Sequence, residues 1–410
     1  MTTLAFAVFL CVYLGMALGR WPGLRLDRTG IALLGAIVLY ATGAIDTARA
    51  ARAIDVATLF VLFGLMILSA QFAACGFYDA CAHRIASSDL SPGLILALVV
   101  AVSGLLSAVL ANDVVCFAMT PLLCAGLKRR GLDPRPFLIG LAAASNAGSA
   151  ATLIGNPQNI LIGQTGGLHF VGFLALCGPP ALAALVLVWA VIRVTWREAL
   201  RATPDAAPAG GTAPPLRRAG AVKGALATLV LLALFTTGGS HVTGALLVAG
   251  GLMISRHLAS RAMLALVDWH LLVLFAALFV VTAGLSDTGL PARMLADLQA
   301  AGLGLERLGT LAGLSLVGSN TIGNVPAVIL ILAAAPGLGE ATLTGLALLS
   351  TLAGNLLLVG SLANIIVAER AAAQGVTLGL ADHARAGIPI TLLSMAVAVA
   401  WLWAIGTMAF

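Results

Sequence analysis

The chain has 410 residues, of which 60% are hydrophobic and only 9% are charged. A soluble globular domain carries about 25% charged residues, so this composition excludes a water-soluble fold, and the high apolar content excludes a disordered chain. The remaining class is a polytopic α-helical membrane protein, and at about 20 residues per span the length allows roughly ten to twelve crossings. The net charge of +6 is modest, so the placement of the charges is more informative than their sum.

Apolar runs bounded by charges or by Gly and Pro follow one another along the chain in two series of six. The first series lies at 3–19, 29–45, 54–75, 92–126, 137–167 and 169–192. The second series lies at 222–238, 240–255, 265–285, 308–336, 341–368 and 386–407. Between the series, residues 198–223 form the only long polar stretch, rich in Pro and Gly, which is typical of a flexible linker. The sequence therefore predicts a first half at 1–197, a linker at 198–223 and a second half at 224–410.

Two of these runs carry polar residues near their middle. The run 92–126 contains Asn112 and Asp113, and its counterpart 308–336 contains Asn324. A straight helix of about 35 residues is about 52 Å long, well beyond a hydrocarbon core of about 30 Å. Two shorter arms that meet at a polar tip suit the membrane better, so both runs are predicted to be re-entrant hairpins whose tips lie in protein or line a cavity.

The Lys and Arg residues are distributed unequally when both runs are treated as hairpins and the other ten as single crossings. The loops on one side then hold 18 of the 22 basic residues. These loops are 20–28, 76–91, 127–136, 193–223, 256–261 and 369–385. By the positive-inside rule this side is cytoplasmic, which predicts a multi-pass inner-membrane protein with both termini outside and the linker in the cytoplasm. The predicted fold class is all-α: two inverted repeats, about ten transmembrane crossings, two re-entrant hairpins, and broken helices at the midplane.

Interrupted helices appear at corresponding positions of the two halves, in the predicted broken helices 137–167 and 341–369. A helix broken inside the membrane exposes unpaired N–H and C=O groups, and Gly and Pro lower the cost of the break. Such breaks mark the binding site of secondary transporters. The predicted substrate and ion site comprises Asn112, Asp113, Thr152, Gly155, Asn156, Asn159, Asn320, Asn324, Gly360, Ser361 and Asn364. Weaker candidates are Asn146, Thr351 and Asn355.

Two roles are open for these polar residues. The asparagines either contact the ligand or only satisfy free backbone groups, and Thr152 either lines the site or bonds its own helix.

The second parts of the hairpins and broken helices are predicted to begin after Asn112, Asn159, Asn324 and Asn364, which aims four positive helix ends at one region.

Asp113 alone among the 16 acidic residues lies deep within a predicted membrane segment. No Lys or Arg is predicted at comparable depth, so this carboxylate is costly unless it binds a cation or takes up a proton. Asp113 is therefore the predicted proton- or cation-coupling residue, with a helix cap as the structural alternative. No catalytic residue is predicted, and the only metal considered is sodium near Asn112 and Asn156, as an alternative to the proton.

Three segments resemble a known family: SNAGSAATLIGNPQNILIG at 145–163, NVPAVILIL at 324–332 and LAGNLLLVGSLANIIVAE at 352–369. They are similar to the ion-transporter superfamily that contains the arsenite permeases, the NhaD-type sodium/proton antiporters, citrate-transporter-like proteins and, more distantly, the divalent anion/sodium symporters. The resemblance implies a homodimer in which a mobile transport domain moves against a scaffold domain by an elevator-type mechanism. It also implies that the hairpin tips and helix breaks form the ion and substrate sites.

These features predict a secondary active transporter for a small anion or its neutral acid, such as an arsenite-like oxyanion or an organic anion, coupled to protons or sodium. The alternatives are a sodium/proton antiporter, a di- or tricarboxylate transporter and, less compatible with inverted hairpins, an ion channel. An enzyme is not predicted, because motifs such as HExxH and GxSxG are missing. A subunit of an ATP-driven pump would need an external ATPase, since the chain has no Walker motif.

No cofactor is predicted other than the coupling protons or sodium. The predicted partners are the small ion or anion substrate, the lipid bilayer and a second copy of the chain, and no nucleic acid.

Overall fold

The computed structural model describes residues 2–19, 21, 23–201, 215–256 and 258–409. Over these residues the chain forms twenty α-helices and no β-strand. The first half contains α1 Thr2–Leu18, α2 Arg28–Ala41, α3 Thr47–Ala53, α4 Val56–Ala74, α5 Phe77–Ala86, α6 Pro92–Val109, α7 Asn112–Arg129, α8 Arg135–Ser149, α9 Pro157–Gly166 and α10 Phe170–Thr195. The second half contains α11 Arg218–Thr236, α12 His241–Met253, α13 Ser260–Leu264, α14 Trp269–Ser286, α15 Leu290–Ala300, α16 Leu308–Thr321, α17 Asn324–Ala334, α18 Glu340–Ala353, α19 Leu362–Ala373 and α20 Leu380–Ala404.

Aspartates begin two long apolar helices that occupy corresponding places in the two halves. Asp55 Oδ1 accepts a hydrogen bond from the Thr58 amide at 3.0 Å, and Asp268 Oδ1 accepts one from the Leu271 amide at 3.0 Å. Such caps supply partners for amides that the first turn of a helix leaves unpaired. The same local signal therefore begins α4 and α14.

Six helices of the described part of the chain are long and apolar enough to cross a membrane. They are α4, α6, α10, α11, α14 and α20. Shorter apolar helices, including α1, α2, α12, α17 and α18, accompany them. The chain is therefore an all-helical, multi-pass membrane protein, as its composition predicts. Because α6 is among the six, its length alone does not restrict it to half of the bilayer.

The run 92–126 is two helices and not one straight helix. At its far end α7 returns to the residues that precede α6, because the Arg130 guanidinium donates to the carbonyl oxygens of Ser88 at 2.5 Å and Leu90 at 3.4 Å. The two helices are thus an antiparallel pair with both outer ends on one side. The second helix ends at Arg129, slightly later than predicted.

A second antiparallel pair, α16 and α17, occupies the predicted run 308–336. Its turn contains Gly323 with φ of 97°, a backbone conformation that residues other than glycine rarely adopt. Beside the turn the two helices approach closely, since a Cβ added to Gly318 would lie 3.0 Å from the Ala327 Cβ.

Both predicted broken helices are interrupted. Residues 150–156 separate α8 from α9, and residues 354–361 separate α18 from α19. The expectation that the second parts begin after Asn159 and Asn364 was wrong, because both residues lie inside the first turns of α9 and α19. In the first break, Pro157 sets the earlier start, since proline is favoured at the first position of a helix.

The predicted linker 198–223 is partly helical. Residues 218–223 belong to α11, so the second half begins earlier than predicted, and residues 202–214 lie outside the described part of the chain. The Lys223 ammonium donates to two carbonyl oxygens at the C-terminal end of α12, at 2.8 Å each. This tertiary contact holds a polar segment in a helix that its composition alone does not predict.

Two side-chain contacts each join segments that the predicted topology assigns to one side. The Lys128 ammonium donates to the Gln374 carbonyl oxygen at 3.0 Å. The Arg49 guanidinium pairs with the Asp287 carboxylate at 2.6 Å. The first contact joins two loops of the Lys- and Arg-rich set, and the second joins two loops of the opposite set.

Candidate substrate and ion site

Each helix break supplies the cap for the helix that follows it. Asn156 Oδ1 accepts a hydrogen bond from the Asn159 amide at 2.9 Å, and Ser361 Oγ accepts one from the Ala363 amide at 3.3 Å. Both predicted site residues thus satisfy a free backbone amide at the start of α9 or α19.

Asn159 and Asn364 pair the carbonyl oxygens that the preceding helices leave free. The Asn159 side-chain amide donates to the carbonyl oxygens of Ser149 at 3.2 Å and Thr152 at 2.9 Å. The Asn364 side-chain amide donates to the carbonyl oxygens of Gly354 at 2.9 Å and Leu357 at 3.2 Å, which lie 205 positions after Ser149 and Thr152. The two breaks therefore use the same hydrogen-bond plan.

Asn146, on α8, joins the tip of the first antiparallel pair to the second break. Its Oδ1 accepts hydrogen bonds from Asn112 Nδ2 at 3.3 Å and Ser361 Oγ at 3.0 Å. Its Nδ2 donates to the side-chain oxygens of Asn355 at 2.8 Å and Asn364 at 3.2 Å. A primary amide offers two donors and two acceptor positions, so Asn146 uses its whole capacity.

Thr351, on α18, makes the reciprocal connection from the second half to the first break. Its hydroxyl donates to Asn159 Oδ1 at 3.3 Å and accepts from Asn156 Nδ2 at 3.3 Å and Gln158 Nε2 at 3.1 Å. Thr351 lies 205 positions after Asn146, and each of these two residues reaches the break of the opposite half.

Asn112, at the tip of the first pair, lies against the first break and retains one unpaired atom. Its backbone amide donates to the Gly155 carbonyl oxygen at 3.1 Å, and its carbonyl oxygen accepts from Ser145 Oγ at 3.1 Å. Its Oδ1 is buried and has no hydrogen-bond partner among the described residues. An unpaired buried acceptor costs about 1–3 kcal/mol, so this oxygen is a ready partner for a proton-bearing group or a cation.

Asp113 follows in the first turn of α7 and is 9% exposed. Within the described part of the chain its carboxylate has no ion pair or hydrogen bond. An arginine paired with Asp113 would contradict a coupling role for this residue. No such pair is present among the described residues.

Thr152 and Gly155 hold the first break against the first pair. Thr152 Oγ1 donates to the Ala108 carbonyl oxygen at 2.5 Å. A Cβ added to Gly155 would lie 2.5 Å from the Ser149 carbonyl oxygen and 2.7 Å from that of Ser107, so this position accommodates only glycine without displacement. In this structure both residues are engaged in backbone packing.

Asn320 and Gly360 make the equivalent connection at the second break. The Asn320 amide donates to the carbonyl oxygens of Leu316 and Ala353 at 2.9 Å each, and its Oδ1 accepts from the Leu357 amide at 3.1 Å. A Cβ on Gly360 would overlap the Asn320 side-chain oxygen. Asn320 therefore braces the break.

Asn324, like Asp113, is a predicted site residue whose side chain makes no hydrogen bond to either break. It is 5% exposed, and its Oδ1 accepts from the Val325 amide at 2.9 Å. Its Nδ2 has no hydrogen-bond partner in the described part of the chain. The residue lines a small cavity between the second tip and α1, α2 and α14. Arg28 lines the same cavity.

Two residues near the site were not predicted. Arg28 lies in the predicted loop 20–28, but it begins α2 and lines the cavity beside the second tip. His383 is 2% exposed, and its Nε2 lies 3.0 Å from the Asn355 carbonyl oxygen. No pattern in the sequence points to either contact, because each joins helices far apart in the chain.

Residues 13–344 match the profile of the citrate transporter family, CitMHS. The chain belongs to this family. The inner membrane protein YbiR of Escherichia coli is 31% identical, over 78% of this chain and 81% of YbiR. The silicon efflux transporter LSI3 of Oryza sativa subsp. japonica is 28% identical, over 97% of this chain and 96% of LSI3. The chain is therefore a membrane transporter, and the resemblance carried by its three sequence segments is confirmed.

The fold of this transporter is also found in a solved structure. The crystal structure of the YdaH transporter of Alcanivorax borkumensis matches with a TM-score of 0.59, covering 98% of this chain and 97% of that one. The two sequences are 16% identical, so the likeness concerns the fold alone.

Proposed function

We propose that this protein is a proton-coupled secondary transporter of a small oxyanion or organic anion, or of its neutral acid, with Asp113 as the coupling residue. The observation that supports the proposal most strongly is the buried Asp113 carboxyl, which has no cationic partner in the described structure, beside the unpaired Asn112 Oδ1. In a membrane such a carboxyl takes up a proton or binds a cation.

The surroundings of Asp113 favour a proton over sodium. A hard cation takes several oxygen ligands, and Asn156 was the predicted second ligand beside Asn112. The Asn156 side-chain oxygen already accepts from the Asn159 amide, and its Nδ2 donates to Ser149 Oγ at 2.9 Å. Asn156 thus has one acceptor position left for an ion, and a hard cation needs several oxygen ligands, whereas a proton needs only the carboxyl itself.

Inverted repeats and alternating access are part of the proposal. The hydrogen bonds that recur 205 positions apart support a common plan for the two halves. The tip of α6 and α7 meets the first break at Gly155, while α9 continues for 10 residues, about 15 Å, beyond it. This geometry supports a re-entrant hairpin, with a mirrored one at α16 and α17.

The buried bonds from Asn146 and Thr351 connect both breaks, so we expect the breaks and tips to move as one body. In an elevator-type mechanism this body would move against a scaffold containing α4 and α14. We propose the same arrangement in a homodimer, with the Lys- and Arg-rich loops in the cytoplasm of an inner-membrane protein.

Reconstituted protein in proteoliposomes tests the proposed function. Uptake of arsenite, silicate, propionate and citrate is measured under an imposed pH gradient, an imposed sodium gradient, or neither. We expect saturable uptake of at least one substrate that the pH gradient accelerates and the sodium gradient does not. Acceleration by sodium alone, or non-saturating flux with unitary currents, would contradict the proposal and favour sodium coupling or a channel.

A further inference from the structure

The second tip, residues 322–326, is joined to the neighbouring helices by one side-chain hydroxyl. Tyr13 lies on α1, and its hydroxyl donates to the Pro326 carbonyl oxygen at 3.4 Å. In the described part of the chain this is the only hydrogen bond between the tip and a helix outside its own pair. Beside this bond, a small cavity with mainly apolar walls lies between the tip and α1, α2 and α14. The directional contact that locates the tip against these helices is therefore the one from Tyr13.

The direction of each hydrogen bond in this contact follows from the chemistry of the groups. A carbonyl oxygen only accepts, so the single hydroxyl proton of Tyr13 is used on Pro326. Thr282 Oγ1 lies 3.1 Å from the Tyr13 hydroxyl oxygen, and Thr282 is then the donor to Tyr13. Because Thr282 belongs to α14, the chain of donors runs from α14 through α1 to the second tip.

The Tyr13 side chain is fixed in place by its surroundings. It is 4% exposed, and its ring stacks on the ring of Phe9, one turn earlier in α1, with the two centres 4.1 Å apart. Its other hydrogen-bond partner, Thr282, is also buried. The hydroxyl is thus held by α1 and α14, and a displacement of the tip would break its bond to Pro326.

The tip is stiff on the side that receives this bond. Pro326 locks its own φ at about −65°, and the β-branched Val325 is restricted further by the proline that follows it. Asn324, the predicted site residue, immediately precedes these two residues and begins α17. A bond to the Pro326 carbonyl oxygen therefore sets the position of Asn324 without touching its side chain.

We propose that Tyr13 is a positioning residue, which holds the second tip against α1 and α14 in this conformation and has to release Pro326 whenever the tip moves. The inference rests on the proposed function, in which tips and breaks move as one body against a scaffold that contains α14. The Tyr13–Thr282 bond joins α1 to this scaffold, whereas Pro326 belongs to the moving body. Loss of the Tyr13 hydroxyl should therefore ease the displacement of the tip and leave the scaffold intact.

Hydrogen–deuterium exchange of the purified full-length protein in detergent, measured by mass spectrometry, tests this inference. Tyr13→Phe removes the hydroxyl and keeps the ring. We expect the amides of residues 322–330 to exchange about two- to tenfold faster than in the native protein, as for the loss of one hydrogen bond from a local opening equilibrium. Peptides from α1, α14 and the first tip should exchange at the native rate, whereas a role of Tyr13 in packing alone would accelerate α1 as well.

Two further variants isolate the bond to the tip. Tyr40→Phe removes a tyrosine hydroxyl that lies 3.0 Å from Thr47 Oγ1 and makes no bond to the tip, so it is the matched control and should leave tip exchange unchanged. Thr282→Val removes the donor to Tyr13 but leaves Tyr13 able to donate to Pro326. It should therefore accelerate the tip less than Tyr13→Phe does.

The kinetics of transport separate positioning of the tip from contact with the substrate. For a substrate found in the uptake assay, Tyr13→Phe should raise the maximal rate about twofold or more and keep KM within about twofold of the native value, since Tyr13 acts on the tip. Native tip exchange in Tyr13→Phe, equal acceleration of the tip and α1, or an effect confined to KM would overturn the inference. The exchange experiment needs no substrate, so it can succeed where coupled transport fails, and coupled transport can stand where tip exchange does not respond to Tyr13→Phe.

Discussion

At the tips of the two antiparallel pairs the second helix begins at an asparagine, Asn112 or Asn324, but the two tips differ in chemistry. The first tip has an excess of acceptors, because the Asp113 carboxyl and Asn112 Oδ1 have no partner among the described residues. At the second tip the unpaired group is a donor, because Asn324 Nδ2 has no hydrogen-bond partner in the described structure, where the Asn324 side-chain oxygen accepts from the Val325 amide. The tips therefore leave groups of opposite hydrogen-bonding character unpaired, acceptors at the first and a donor at the second.

The two residues that connect the halves also differ, in the number of hydrogen bonds that their side chains make. Asn146 makes four side-chain hydrogen bonds, and its counterpart Thr351 makes three, with a smaller side chain. We therefore expect the connection from the first half to contribute more to stability than the reciprocal one. The following predictions test this asymmetry, beginning with the largest expected effect.

Replacing Asn146 with leucine should cause the largest loss. The substitution leaves several buried polar groups without partners, at about 1–3 kcal/mol each, so we expect the free energy of unfolding to fall by about 3 kcal/mol or more. Thr351→Val, which removes one hydroxyl at nearly constant volume, should cost about 1–2 kcal/mol. Unfolding in detergent monitored by circular dichroism measures both.

Thr391→Val provides the control for these two variants. Thr391 is fully buried on α20, and its hydroxyl has no hydrogen-bond partner in the described structure. Its replacement should leave stability unchanged or raise it. If Thr351→Val proved as costly as Asn146→Leu, the asymmetry between the two connections would be refuted.

The glycines of the two breaks offer a smaller test. A Cβ at Gly155 would meet backbone atoms of Ser149 and Ser107, whereas at Gly360 one overlapping atom belongs to the Asn320 side chain. Overpacking typically costs about 1–3 kcal/mol, and backbone yields less readily than a side chain. Gly155→Ala should therefore destabilise more than Gly360→Ala in the same unfolding assay. The reverse order would show that the second break is the more rigid one.

Much of the fold could be predicted from local features of the sequence. Apolar runs gave the helical class, and the polar residues within 92–126 predicted that this run is not one straight helix. The Gly-Asn-Pro sequence at 155–157 predicted the first break, because these residue types lower the cost of ending and restarting a helix. Such signals act within a few residues, so the sequence alone reveals them.

The contacts that complete the site could not be predicted in the same way. Asn146 bonds Asn355 and Asn364, which lie more than 200 positions away, and only tertiary packing decides which polar groups it meets. The position of Arg28 in a predicted loop does not reveal that its Nε donates to the Met16 carbonyl oxygen or that it lies near the second tip. The start of α11 within the predicted linker has the same cause, since Lys223 is held by the end of α12.

The central claim is that Asp113 carries the proton that drives transport, and proton movement itself tests it most directly. A pH-sensitive dye inside proteoliposomes reports the change in internal pH when a transported substrate is added outside. We expect a substrate-dependent pH change for the native protein and for Asp89→Asn, an exposed carboxylate near the same hairpin, and none for correctly folded Asp113→Asn. An Asp113→Asn variant that moves protons with substrate as fast as the native protein would contradict the account.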